Sequence, residues 1–136
     1  MKSAFTLIEL VTTLIIIAIL AALALPRFNK ASEATKAKEA VAALQQIRTG
    51  ERIYRTGQEF YYPHYVYHPA PESGIDTINT VLKIYLDKRA ERNWDISIDT
   101  NTLNTFTAIA TRTRGRNSGE TITIDQEGTQ GGTWSP

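Results

Sequence analysis

Residues 5–25 read FTLIELVTTLIIIAILAALAL, a run in which Glu9 is the one charged side chain. Wound as an α-helix at about 1.5 Å per residue, the stretch reaches about 32 Å, enough to cross a hydrocarbon core of about 30 Å. A carboxylate inside such a span costs about 2.5–3.5 kcal/mol on insertion scales. A sequence keeps that cost where a partner compensates it, so Glu9 points to assembly or chemistry within the membrane. Two plainer readings stand beside this one. A secretory signal peptide would place its small-residue cleavage site at Ala22-Leu23-Ala24, but the glutamate and the length of the run speak against it. An ordinary single-span anchor requires only the length.

Just past the run, Pro26 lacks an amide hydrogen and its ring clashes with the carbonyl of Ala22, which predicts a kink. Residues 29–55 are rich in the helix formers Ala, Lys, Glu and Gln. Apolar residues recur at Ala40, Leu44, Ile47 and Tyr54, with Val41 and Ile53 beside them and an interruption at Gly50 and Glu51. Glu33, Lys36 and Glu39 form i,i+3 pairs on the outer face. The pattern predicts one helix from about Phe5 to about Arg55, stopped by Thr56-Gly57. Its first half is apolar all round, as suits lipid or a bundle core, and its second half is amphipathic, as suits packing on a domain.

Beyond it, Phe60, Tyr61, Tyr62, Tyr65 and Tyr67 are interleaved with Pro63, Pro69 and Pro71, a connection without a long regular element. Ser73-Gly74-Ile75-Asp76 has the form of a capping box. It opens a short helix with Ile75, Ile78, Leu82 and Tyr85 on one face and an end near Lys88 or Arg89. Trp94, Ile96 and Ile98 then alternate with Asp95, Ser97 and Asp99; residues 105–113 are rich in Thr and Ile; Thr121-Ile122-Thr123-Ile124 repeats the alternation. Asn101 to Asn104 and Gly115 to Gly119 are the expected hairpin loops. The expectation is an α+β fold: a long N-terminal helix against a small head with a three-stranded antiparallel sheet. Trp94, Ile96, Ile98, Ile122 and Ile124 would be buried on the helix.

Composition narrows the chemistry. A chain of 136 residues leaves room for one small globular domain after the span. Residues 1–55 carry eight Lys/Arg against four Asp/Glu, and residues 56–136 seven against ten. The basic stem would suit anionic lipid or acidic neighbouring heads, and neither balance marks nucleic acid as the main partner. With no cysteine, no disulfide can close the head. His64 and His68 have the i,i+4 spacing of a helical metal pair, but Pro63 and Pro69 argue against a helix there. The Ser and Thr residues carry no recognisable base-bearing motif, so no enzyme activity and no cofactor are expected. Arg112, Arg114 and Arg116 alternate and, while a strand lasts, project from one face. Such a ridge would suit nucleic-acid phosphates, the blunting of a strand edge, or an acidic subunit contact.

Lys2-Ser3-Ala4, then Phe5-Thr6-Leu7-Ile8-Glu9-Leu10, then Val11 to Leu25 and Pro26, resembles the N-terminus of type IV pilins and of type II secretion pseudopilins. The resemblance implies cleavage between Ala4 and Phe5 by a prepilin peptidase and methylation of the new amine. Ala4 stands where the family usually has Gly. Glu9, fifth from Phe5, takes the position needed for filament assembly, and Pro26 that of a proline at the end of the membrane segment. The implied organisation is a leader (1–4), a transmembrane and filament-core half-helix (5–28), an amphipathic half-helix (29–55) and a globular head (56–136). The implied partners are further copies in a helical filament, the inner membrane that holds the precursor, and the pilus assembly machinery. The implied location of the assembled form is an extracellular pilus or a periplasmic pseudopilus.

Ala18 and Ala22 make a small-xxx-small pair that lets helices approach closely. Arg27, Lys30, Lys36 and Lys38 follow the span whereas Lys2 precedes it, which by the positive-inside rule favours a cytoplasmic C-terminus. The resemblance implies the opposite orientation, which is the one expected here. Major pseudopilins hold calcium in their C-terminal loops. The corresponding oxygen donors here are Asp95, Asp99 and Asp125, with Glu127 and Asn117, yet no D-x-D-x-D-G run appears and residues 125–128 read more simply as a turn. Besides a pilus subunit, the alternatives are a type II secretion pseudopilin and a membrane-anchored binding protein that does not polymerise.

Overall fold

The apolar run and the amphipathic stretch form one helix, α1 (Leu7–Gln58), in a computed structural model of the chain. The structure describes residues 6–64, 71–89, 92–115 and 117–135, Asn101 by its backbone alone. A second helix, α2 (Ile75–Leu82), and four strands follow: β1 (Trp94–Thr102), β2 (Thr105–Arg112), β3 (Thr121–Asp125) and β4 (Gln130–Gly132). The fold class is α+β, as expected, with one strand more than the alternation of apolar residues marks. The chain divides into two compact units, residues 1–35 and 36–135, and α1 contributes to both.

In the first unit, helix continues through Pro26. Thr12 and Thr13 turn their hydroxyls back onto the carbonyls of Ile8 (2.7 Å) and Leu10 (2.8 Å). That bonding satisfies their polar atoms within the helix, the condition for placing threonine in an apolar span.

In the second unit, α1 buries Ala37, Ala40, Leu44 and Ile47 at helical spacing. The stripe is not broken at the next turn, because Gly50 and Glu51 are buried as well. Glycine is required at 50: a Cβ there would lie 2.9 Å from Leu82 Cβ and 3.1 Å from the Leu82 carbonyl oxygen. Ile53, in contrast, is exposed. The helix ends not at Gly57 but after Gln58, where Glu59 takes a positive φ of 67° and donates its N–H to the Arg55 carbonyl.

The sheet is an antiparallel meander in the order β1-β2-β3-β4. Trp94, Ile96, Ile98, Ile122 and Ile124 are all buried, and β2 adds Phe106, Ala108 and Ala110. Trp94 Nε1 donates to the Lys36 carbonyl at 2.8 Å, tying β1 to α1. A register shift between Asp99 and Thr102 lets Thr102 pair with Thr105, so the first hairpin loop is Leu103-Asn104 rather than Asn101 to Asn104. β4 is Gln-Gly-Gly, with no β-branched or aromatic residue. It is held by Asp125, whose Oδ1 accepts the N–H groups of Glu127, Gly128 and Thr129 at 2.8–2.9 Å. Those bonds hold the Asp125 carboxyl below its ordinary range. Arg48 of α1 reaches the same turn, donating to the carbonyls of Gln126 (3.3 Å) and Glu127 (2.8 Å). A Cβ on Gly128 would sit 2.8 Å from the Arg48 guanidinium carbon.

The second helix departs from expectation at both ends. Its N-cap is Gly74 and no side chain caps it; the Gly74 N–H is instead taken by Glu72 Oε1 at 2.6 Å. It stops at Leu82 because Lys83 adopts a left-handed conformation. The buried Asn79 side chain then clamps the chain beyond, accepting from Leu86 N–H (2.7 Å) and donating to its carbonyl (3.1 Å). Leu86 is thereby buried and Tyr85 turned outward, 81% exposed, instead of lining the helix face.

Candidate functional site

Thr6 precedes the first helical residue, Leu7, and its Oγ1 accepts the N–H of Glu9 at 3.3 Å. The Thr6 hydroxyl lies 3.4 Å from Glu9 Oε2 as a donor, and the Leu10 N–H bonds the Thr6 carbonyl. Thr6-x-x-Glu9 is therefore the N-terminal cap of α1, with a carboxylate in the first turn where the helix dipole favours it. That signal was present in the sequence as a Thr three residues before a Glu at the head of an apolar run. Glu9 has two compatible roles: it completes a helix end, and it is the lone carboxylate of an apolar span.

From Leu7 to Phe28 the large apolar side chains are exposed, and none of the most apolar 18-residue window is buried against the rest of the protein. That window has a mean hydropathy of 2.7, so α1 is long and apolar enough to cross a membrane. Ala18 and Ala22 lie one helical turn apart within it and are exposed. Ala4 and Phe5, the residues of the expected cleavage and methylation, lie outside the described residues.

The other sequence candidates are placed differently from one another. Arg112 is not part of an exposed ridge. It ends β2 at 2% exposure, donates Nη1 to the Asn93 carbonyl at 2.8 Å and lies 5.5 Å from the Trp94 ring. Its face is that of Phe106, Ala108 and Ala110, a parity readable from the sequence. Arg114 is exposed beyond the strand end, and Arg116 lies outside the described residues.

Asp95 pairs with Arg92 at 2.5 Å. Asp99 and Asp125 are both in register with Thr107, which puts a whole strand between them, about 10 Å at the usual strand spacing. Asn117 donates to Glu120 and to the Ser135 carbonyl, and Glu127 is exposed at the β3–β4 turn. The five donors are thus not brought together, and among the described residues no group of three His, Asp or Glu is placed to hold a metal. His64 packs edge-on against Phe60, with ring centres 4.5 Å apart, and His68 is outside the described residues. No protein-family model matches the chain, and no curated protein matches it.

Proposed function

We propose that this chain is a structural subunit of a type IV pilus-like filament, held in the inner membrane as a precursor and polymerised through the apolar half of α1. The observation that carries the reading is the apolar half of α1, with one carboxylate and none of its most apolar 18-residue window buried, in a chain whose second unit has a buried core. Such a helix finds cover in lipid or in copies of itself. Moving it from one to the other is nearly neutral in hydrophobic terms, so close packing at Ala18 and Ala22 and a partner for Glu9 must supply the bias. The amine of Phe5 on a neighbouring copy, created by removal of residues 1–4, is the partner of suitable charge. In the filament, residues 18–27 lose helical hydrogen bonds, since Pro26 already lacks one and the freed groups would be buried in protein.

The test is electron microscopy of sheared surface material with intact mass measurement of its main component. Fibres built of a chain beginning at Phe5 are expected; a membrane-bound monomer that keeps residues 1–4 would overturn the reading. Glu9→Leu is expected to insert in the membrane at least as well and to give few or no fibres, and normal fibre yield would remove Glu9 from assembly.

One observation favours the plainer anchor. Thr6 already bonds Glu9 within a single copy, so the carboxylate has a use without polymerisation. The anchor reading expects Glu9→Gln to act like Thr6→Ala, weakening the helix start by about 1 kcal/mol, with no fibres from the wild type.

A further inference from the structure

Just past α1, at Tyr62 and Pro63, the chain is tied down beside a carboxyl group that has no ion-pair partner among the described residues. Glu51, on α1, is 0% exposed. Its Oε2 accepts the Tyr62 N–H at 2.9 Å, while its Oε1 is buried and, among the described residues, has no hydrogen-bond partner. Tyr62 is gripped a second time at its other end, where its hydroxyl donates to Glu72 Oε2 at 2.9 Å. Glu72 is in turn fixed to β1 by paired backbone bonds with Ile98, both 2.8 Å. The Thr100 hydroxyl holds the Pro63 carbonyl.

Among the described residues, the titratable groups that act on Glu51 include Tyr54 on α1 and Tyr62 on the connection, with Glu72 behind the Tyr62 hydroxyl. Each would gain negative charge or carries it already. On α1 itself, Arg48 is bonded to the β3–β4 turn and Arg55 to the Tyr61 hydroxyl and Asn104.

A neutral carboxyl tolerates this setting and an ionised one does not. Burial pushes Glu51 up to about 8, with the Tyr62 N–H pulling weakly the other way. Once charged, the group can regain solvation only by reaching water, and that requires giving up Tyr62. We propose that Glu51 is a protonation-gated latch: neutral, it holds the Tyr62 segment against α1, and ionised, it lets that segment open while the sheet and the α1 core stay folded. This device is independent of the filament reading and would operate in an anchored monomer as well.

Linkage fixes the pH window. An acid whose pKa is raised in the closed state leaves the closed state fully favoured below its ordinary value of 4.5; that preference is lost as pH rises and the loss is complete above about 8. Between those limits the opening equilibrium should grow by about tenfold per pH unit.

The experiment is amide hydrogen exchange by NMR on the full chain in detergent micelles, corrected for the intrinsic pH dependence of exchange. A carboxyl-carbon titration of Glu51 is run on the same sample. Protection of the Tyr62 amide should fall at least about a hundredfold from pH 5 to pH 8 and then level off, with Ala110 in mid-sheet unchanged. Glu51→Gln should flatten the Tyr62 profile. The proposal is overturned if Glu51 titrates in the ordinary carboxylate range, if Tyr62 protection is flat in the wild type, or if Glu51→Gln keeps the slope. It is equally overturned if Ala110 loses protection in step with Tyr62, since opening would then be global. The carboxyl titration and the wild-type profile decide the matter even if Glu51→Gln does not fold.

Discussion

Gly50 and Gly57 sit two turns apart on the same helix, and the structure separates them sharply. At Gly57 a Cβ would meet nothing within 4 Å, whereas at Gly50 it would press on Leu82 and Ile84. Gly57→Ala should therefore stabilise the second unit by about 0.5–1 kcal/mol, through helix propensity and a less free unfolded chain. Gly50→Ala should destabilise it by about 1–3 kcal/mol, because Leu82 Cβ and the Leu82 carbonyl cannot both retreat. Urea titration of the two variants in one detergent should place them on opposite sides of the wild type. The sequence alone reads the pair the other way round, with Gly57 as the stop and Gly50 as a gap in the stripe. Residue type carries no information on which glycine faces a neighbour. For Arg112 the sequence does carry the information, since it shares strand parity with Phe106, Ala108 and Ala110.

Among the elements, those written in periodic apolar residues were legible and those made by side-chain bonds were not. α1, β1 and β3 announce themselves by period, and β2 by a composition rich in Thr and Ile. β4 is Gln-Gly-Gly and exists because Asp125 gathers three N–H groups into a turn and Thr121 bonds Thr133. Asp125→Ala should therefore free β4 while leaving β1 to β3 paired, seen as loss of exchange protection at Thr129 and Thr133 with Ala108 and Ala110 unchanged. The sign of the acid response follows from the lowered Asp125 pKa. The turn is at full strength above the ordinary value of 3.8 and weakens as pH falls through the lower folded value. The end of α2 was hidden for a similar reason, since Asn79 reaches across to Leu86 and the pattern of apolar residues does not record that reach. At the head of α1, the Thr6-x-x-Glu9 spacing is a capping signal legible in the sequence, although the apolar run around Glu9 makes its charge the more conspicuous feature.

For the molecule as a whole, the two units have different requirements. Residues 36–135 contain a core drawn from α1, α2 and the sheet, while the large apolar side chains of residues 7–28 are exposed. A chain shortened to residues 30–136 should accordingly be soluble without detergent and keep the exchange protection of β2. Aggregation or loss of the β2 amides on removal of residues 1–29 would mean that the first unit takes part in folding the second. The long apolar segment at the start of α1 was legible from hydropathy. What the apolar segment does next was legible only as a resemblance.

The grip of Arg48 on the β3–β4 turn bears on where this protein can accept foreign sequence. A loop tip is ordinarily the place to graft an epitope or a fluorophore site. Here the tip at Gly128 takes a φ of 94°, which favours glycine, and lies against the Arg48 guanidinium, while the carbonyls of Gln126 and Glu127 are already engaged. Lengthening that turn would pull the arginine off the hairpin and unseat β4 with it. The exposed Ser118-Gly119 corner of the preceding hairpin, open around Gly119, is the better graft point for labelling the head.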